Sequence, residues 1–166
     1  MAINNFNPIV WINEHLDIPF DEEEIAHVRD FTLMWNLFEK IACERQFNEQ
    51  SIRRHIRESN IDSVRFAEYF NYFVGRYVNH ENANNYFSHL FNHRDSAQRT
   101  FVQNVLHGID QTNENIIIVC ILISYRYRNN LFHGNKELRE IHHQRTNLNA
   151  AMNVLAIFLE NIPNMV

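Results

Sequence analysis

The sequence predicts an all-α bundle, and three observations carry that prediction. Only three Gly and three Pro occur in 166 residues, too few for a fold built on tight hairpin turns. Apolar residues recur every three to four positions through much of the chain, the period of a helix with one buried face. Residues 116–123, IIIVCILI, are apolar without a break, and a helix apolar on every side must be buried on every side. The β-branched IIIV alone would also suit a strand, but no second clear strand offers itself as a partner.

The length is most simply one domain, residues 1–166, large enough to bury a real core. Thirteen Phe, six Tyr and two Trp supply that core with bulky aromatics. Residues 1–20 contain two prolines and no period, and read as an N-terminal arm or packed extended segment. Asp21 then looks like a helix start, with acids in the first turn. Ile25, Val28, Phe31, Met34 or Trp35, Phe38 and Ile41 follow at helical spacing. Asn48 can cap a short helix carrying Ile52 and Ile56. Asn60 or Asp62 can cap the next, with Val64, Ala67, Phe70, Val74 and Tyr77 facing inward.

Residues 79–85, NHENANN, read as a loop or a loosely wound start. One or two short helices follow, near 87–91 and 95–106. Gly108 breaks the chain. Thr112 or Asn113 begins the long central helix, running to about Phe132. Asn135 can cap a last helix whose inward residues are Leu138, Ile141, Leu148, Met152, Leu155, Leu159 and Ile162, with Pro163 ending it. The two late helices thus meet at FHGN.

The formal charge of −5 excludes a protein that coats nucleic acid with an overall basic surface. The charge is unevenly placed, however. Residues 121–150 hold five basic side chains (Arg126, Arg128, Lys136, Arg139, Arg145) against Glu137 and Glu140. His133, His142 and His143 lie in the same span. A local basic face on an acidic protein still attracts phosphate. Cys43 and Cys120 sit in apolar helical surroundings, the pattern of reduced core thiols in an intracellular protein. The start, MAINNFNPIV, has neither a charged n-region nor a long apolar h-region, so a cytoplasmic location is expected. Residues 116–123 are too few to span a bilayer, and no membrane association is expected.

The stretch RYRNNLFHGNK, residues 126–136, is the candidate site. A buried apolar run ends there in two arginines, two adjacent amides and a histidine. These are side chains that hold an anion and move a proton. At about 100° per residue, Tyr125, Asn129 and His133 fall near one line, whereas Arg128 and His133 lie roughly 140° apart. They converge only if the helix bends near Gly134, or if two copies of the segment face each other.

Arg128-Asn129-Asn130-Leu131-Phe132-His133 resembles the signature of the HEPN superfamily: an arginine followed by a polar residue, with four to six residues between the arginine and a histidine, four in this chain. Gly134 and the long apolar helix leading in are similar as well. The motif covers six residues, and the all-α layout extends a weaker likeness over most of the chain. The resemblance implies an HEPN-like bundle with a long central motif helix. It also implies a metal-independent endoribonuclease that works as a homodimer, its two motifs facing across the interface. By position, Arg128 and His133 are then the catalytic pair and Asn129 the supporting polar residue. One HEPN subgroup has a tyrosine two residues after the histidine, which a nucleotidyltransferase antitoxin modifies. Asn135 stands there in this chain, so that mode of control is not expected.

The residue chemistry leads the same way. RNA carries its own nucleophile, the 2′-OH. Cleavage needs a base for that proton, an acid for the departing 5′-oxygen, and positive charge on the crowded phosphorane. A histidine serves as acid or base near neutrality, and an arginine offers a fork of donors to the nonbridging oxygens. Tyr125 and Tyr127 are candidates to stack on bases beside the cut, and Arg126, Lys136 and Arg139 to contact RNA. The expected setting is a toxin or defence effector, with an inhibitory antitoxin or regulatory protein as a second partner. The alternative is a non-catalytic HEPN-like bundle that binds a protein or a nucleic acid.

Plainer readings stand beside these. Arg128 and His133 also suit a polar helix end that favours the C-terminal dipole, with Gly134 as cap. The tyrosines suit core packing, and the basic residues a solvated face. His89 and His93 are four apart, but no third ligand at a partner spacing accompanies them and no CxxC occurs, so no metal site is expected. Glu24-Ile25-Ala26-His27 and Glu140-Ile141-His142-His143 match Glu-x-x-His, without the companion acids of a di-iron bundle. There is neither a Gly-rich phosphate loop nor a serine nucleophile elbow, and no cofactor is expected.

Overall fold

The structure, a computed structural model, describes residues 6–16, 22–79, 82–94, 96–132 and 143–163. Within them the chain is predominantly helical, an all-α bundle with one minor two-stranded ribbon. In order come α1 (Pro8–Leu16), α2 (Glu22–Ala42), α3 (Glu49–Glu58), a 3-10 turn (Ser63–Phe66) and α4 (Ala67–Tyr77). The ribbon of β1 (Val78–Asn79) and β2 (Asn82–Ala83) leads to α5 (Asn85–Leu90), α6 (Ala97–Leu106), α7 (Asn113–Phe132) and α8 (Arg145–Glu160).

The central helix lies where its composition requires. Every residue of α7 from 117 to 124 is buried. α8, the 3-10 turn, α3, α4, α6 and α5 all pack on α7, and α2 lies along α8. The one hydroxyl in that run is satisfied within the helix: Ser124 Oγ donates to the Cys120 carbonyl at 2.9 Å. Phe31, Trp35, Phe38, Phe66, Phe73, Phe87 and Phe158 complete a core that forms one cluster. This burial takes place within a single copy, so the apolar surplus of α7 does not itself call for a partner chain.

Polar groups pin the start of α7. The Ser63 N–H donates to Asn113 Oδ1 at 2.7 Å, and Asn113 Nδ2 donates to the Ile61 carbonyl at 2.8 Å. Thr112 Oγ1 accepts the Asn115 N–H at 3.2 Å, an N-cap contact. Arg53 of α3 pairs with Glu114 and Glu49, at 2.7 Å each. Gly108 carries φ +86°, the left-handed turn that breaks the chain before α7. The opposite end of the helix carries the motif.

Several expectations are met at residue level. Asn48 caps α3, its Oδ1 accepting from the N–H groups of Gln50 and Ser51, and Ile52 and Ile56 are buried. Of the two caps weighed for the next segment, Asp62 is used, accepting from the Val64 N–H at 2.9 Å.

Three expectations are corrected. Residues 1–20 are not only an extended arm, because α1 forms within them. Asn7 Oδ1 accepts from the N–H groups of Ile9 and Val10, at 2.9 and 3.2 Å, and Pro8 stands at the first helical position. An amide cap followed by proline is a helix-start signal that needs no apolar period. Val64 and Ala67 face solvent, Val64 at 74% exposure, while Phe66, Phe70, Phe73 and Tyr77 face inward. The 3-10 turn has three residues per turn rather than 3.6, so it rotates the inward phase set from the cap. Residues flanking positions 80 and 81 are paired strands, Val78 opposite Ala83 and Asn79 opposite Asn82, rather than plain loop.

The expected start of the last helix at Asn135, with Leu138 and Ile141, lies outside the described residues, as does Asp21. In the described part of α8, Leu148, Leu155 and Leu159 are buried and Met152 is half-buried. Pro163 follows its end.

Candidate functional site

The last turns of α7 hold the described half of the motif. Arg128 donates from Nη1 to Asn129 Oδ1 at 3.2 Å. Its guanidinium carbon lies 5.2 Å from the ring centroid of Phe132, itself 54% exposed. Arg128 Nε is buried without a hydrogen-bond partner among the described residues. No carboxylate among the described residues pairs with Arg128. The guanidinium is therefore oriented, by an amide on one side and a ring face on the other, while its charge is left uncompensated there. Asn129 thus accepts from the arginine, where the resemblance had marked it only as the supporting polar residue. His133, Lys136 and Arg139 lie outside the described residues, along with Gly134 and Asn135.

The aromatic residues before the motif belong to the core. Tyr125 stacks on Phe47 at 4.1 Å between centroids and 8° between planes, with Trp35 at 5.9 Å. One ring face is thus already occupied, and Tyr125 extends the aromatic layer of α2 rather than standing out as a platform for a base. Tyr127 is 6% exposed, and its hydroxyl lies 2.6 Å from that of Tyr77 in α4. Burial raises both phenols, Tyr77 to about 12 and Tyr127 well above the ordinary tyrosine value. Tyr127 is thus too buried to stack on a base, and Tyr125 is half-buried with one ring face taken. The periodicity already placed both on a helix with few exposed positions, and packing settled their role.

Arg126 is half-buried, its guanidinium carbon 4.7 Å from the Phe91 centroid. Its Nε is buried with no hydrogen-bond partner among the described residues, and burial lowers its pKa. Burial raises the cost of leaving that cation without an anion, and the aromatic face offsets part of it.

A second feature adjoins α7 on another side. A cavity of about 560 Å³ opens between α4, α5, α7 and the start of α8. Arg76, His89, His93, Asn130, Gln144 and Asn147 are among its lining residues. Tyr127 and Asn130 face it, whereas Arg128 and Asn129 do not line it. Of these lining residues, the sequence reading had singled out Tyr127 and the His89 and His93 pair. Arg76, Asn130 and the Gln144 and Asn147 pair stand in three separate segments, with no common spacing that could have flagged them.

The imidazoles of His89 and His93 meet edge to face, with centroids 4.7 Å apart. Among the described residues, no group of three His, Cys, Asp or Glu side chains is placed to hold a metal ion. Cys43 and Cys120 are free thiols in the core. Burial pushes Cys43 up to about 11 and Cys120 higher still. Such thiols are poor nucleophiles at neutral pH. Among the described residues no helix is long and apolar enough to cross a membrane.

Comparison with known proteins returns no match. Neither a family model, nor a curated protein, nor a solved structure is detectably similar to the chain.

Proposed function

We propose that the protein is a metal-independent endoribonuclease of the HEPN type, acting as a symmetric dimer with one Arg128-Asn129…His133 motif from each copy. The observation that carries this reading is the oriented Arg128 guanidinium, paired with no carboxylate among the described residues, near the end of a helix buried throughout residues 117–124. A rigid helix is a good mount for a group that must meet a phosphate within a fraction of an ångström.

In this mechanism the RNA 2′-oxygen attacks the adjacent phosphorus as a base removes its proton. The bond to the 5′-oxygen breaks, and an acid protonates that oxygen as it leaves. The products are a 2′,3′-cyclic phosphate and a 5′-hydroxyl. Arg128 donates to the nonbridging oxygens, where negative charge accumulates in the phosphorane. Asn129 holds Arg128 in place. The two His133 side chains, one per subunit, supply acid and base.

The setting we propose is a toxin or defence effector. Asn135 provides no phenol for nucleotidylation, so control falls to an inhibitory partner that covers the basic face. The deciding experiment is RNA cleavage in EDTA, comparing wild type with His133→Ala. Cleavage by wild type alone supports the reading. Full activity in His133→Ala, or activity lost in EDTA and restored by magnesium, overturns it. No cleavage of any RNA by the wild-type dimer favours the non-catalytic binding bundle.

A further inference from the structure

The cavity beside α7 has a one-sided hydrogen-bonding character. Three of its four lining carboxamide oxygens, all but that of Asn92, are already engaged by protein donors. Asn130 Oδ1 accepts from Asn92 Nδ2 at 3.3 Å, and Asn147 Oδ1 accepts from the Tyr72 hydroxyl at 2.6 Å. Gln144 Oε1 accepts from Asn147 Nδ2 at 2.8 Å. With its oxygen turned toward Asn147, Gln144 has its amide nitrogen left to donate elsewhere.

The charged groups point to the same conclusion. Arg76 is half-buried in the cavity wall, its guanidinium carbon 5.1 Å from the ring centroid of Tyr86. Its Nε is buried with no hydrogen-bond partner among the described residues. It makes no ion pair among them, and no Asp or Glu is found in the described lining. The His89 and His93 rings stand in the same wall. The Tyr72 and Tyr77 hydroxyls contact the guanidinium but do not neutralise it, so an apolar guest would leave it part-desolvated without an anion, which is costly. A guest rich in acceptors and carrying negative charge satisfies it.

We propose that this cavity is a binding site for a small phosphate monoester, with Arg76 as its principal anchor and Gln144, His89 and His93 as further donors. A guanidinium fork matches the paired oxygens of a phosphate, and about 560 Å³ accommodates the phosphate with a compact organic body. The site lies apart from Arg128 and Asn129, and the inference does not depend on the ribonuclease reading.

The phosphate arrives either on a free metabolite or at the end of an RNA chain, and calorimetry separates the two. The probes are glycerol 3-phosphate, a 5′-mononucleotide, and a short 5′-phosphorylated oligoribonucleotide with its unphosphorylated counterpart. Saturable binding of either small monoester identifies a metabolite site. Binding of the oligonucleotide alone, and only when phosphorylated, identifies an RNA end. In both cases Arg76→Gln should weaken binding about tenfold or more, the scale of one charged hydrogen bond. Gln144→Glu should do the same by placing a carboxylate in the cavity, without removing buried packing. The proposal is overturned if no probe binds saturably, if a folded Gln144→Glu variant binds the small monoester or the phosphorylated end as wild type does, or if neither small monoester binds and the phosphorylated and unphosphorylated oligonucleotides bind alike.

Discussion

The hydroxyls of Tyr77 and Tyr127, fifty residues apart in sequence, lie 2.6 Å from each other in the buried seam between α4 and α7. One must donate to the other, and burial disfavours ionisation of either. Removing one hydroxyl leaves its neighbour without its present partner. Tyr127→Phe should therefore cost about 1–3 kcal/mol of stability. The double variant Tyr77→Phe/Tyr127→Phe should be markedly less unstable than the sum of the singles. Urea unfolding of the four proteins measures this, and strictly additive losses would contradict the pairing.

The Arg128–Asn129 contact gives a graded prediction for RNA cleavage. Arg128→Ala should lose about a hundredfold or more, the scale for removing one donor to the developing charge. His133→Ala should lose about 10²–10⁴-fold, as expected for a general acid or base. Asn129→Asp is the sharper test. It keeps the shape but turns the amide contact into an ion pair that neutralises the guanidinium, so activity should fall below that of Asn129→Ala. An Asn129→Asp protein as active as Asn129→Ala would show that Arg128 does not act through its free charge.

A composite site needs two copies. Light scattering at micromolar concentration should give about twice the chain mass. Because α7 is covered by its own bundle, the contact is expected at the motif end, where Phe132 is 54% exposed beside Arg128. Phe132→Glu should shift the protein toward monomer and lose cleavage together. A monomer with undiminished cleavage would be incompatible with shared catalysis.

The buried thiols and phenols set the alkaline limit of stability. Cys43 is raised from 9.0 to about 11 and Tyr77 from 10.0 to about 12, both chiefly by burial. A raised pKa means that the unfolded chain loses its proton first. The contribution is whole below the unfolded values and is lost as pH rises through the folded ones, so stability should fall steadily from about pH 9 to pH 12. Thermal melts across that range check the sign. In the folded protein, Cys43 and Cys120 should resist iodoacetamide at pH 7.5 and react fully after denaturation; rapid native labelling would refute the burial argument.

Asn113 ties the start of α7 to the segment before the 3-10 turn by accepting from Ser63 and donating to Ile61. Asn113→Ala removes both bonds at once. It should destabilise the fold by roughly 1–3 kcal/mol, with the effect largest in hydrogen exchange at Ser63. An unchanged melting curve would mean that the buried apolar body of α7 positions the helix unaided.

The all-helical character, the caps at Asn48 and Asp62 and the burial of residues 117–123 could be read from the sequence by itself. Each depends on contacts within a few residues or on one helical period, and local information suffices for those. The helix at Pro8–Leu16 was legible too, in Asn7 and Pro8, although its apolar pattern was not. Other features were decided only by the tertiary structure. The inward phase after Asp62 changed because the 3-10 turn rotates the chain by a different angle per residue. Tyr127 became a core residue and Tyr125 was drawn against the core because Tyr77 and Phe47, distant in sequence, pack on them. Asn129 was recognisable as part of a motif, but its hydrogen bond to Arg128 depends on side-chain rotamers that spacing does not specify. The cavity around Arg76 was invisible for a stronger reason. Its donors come from three separated segments, and only the packing of α4, α5 and α8 around α7 brings them together while engaging most of the acceptors that would otherwise balance them.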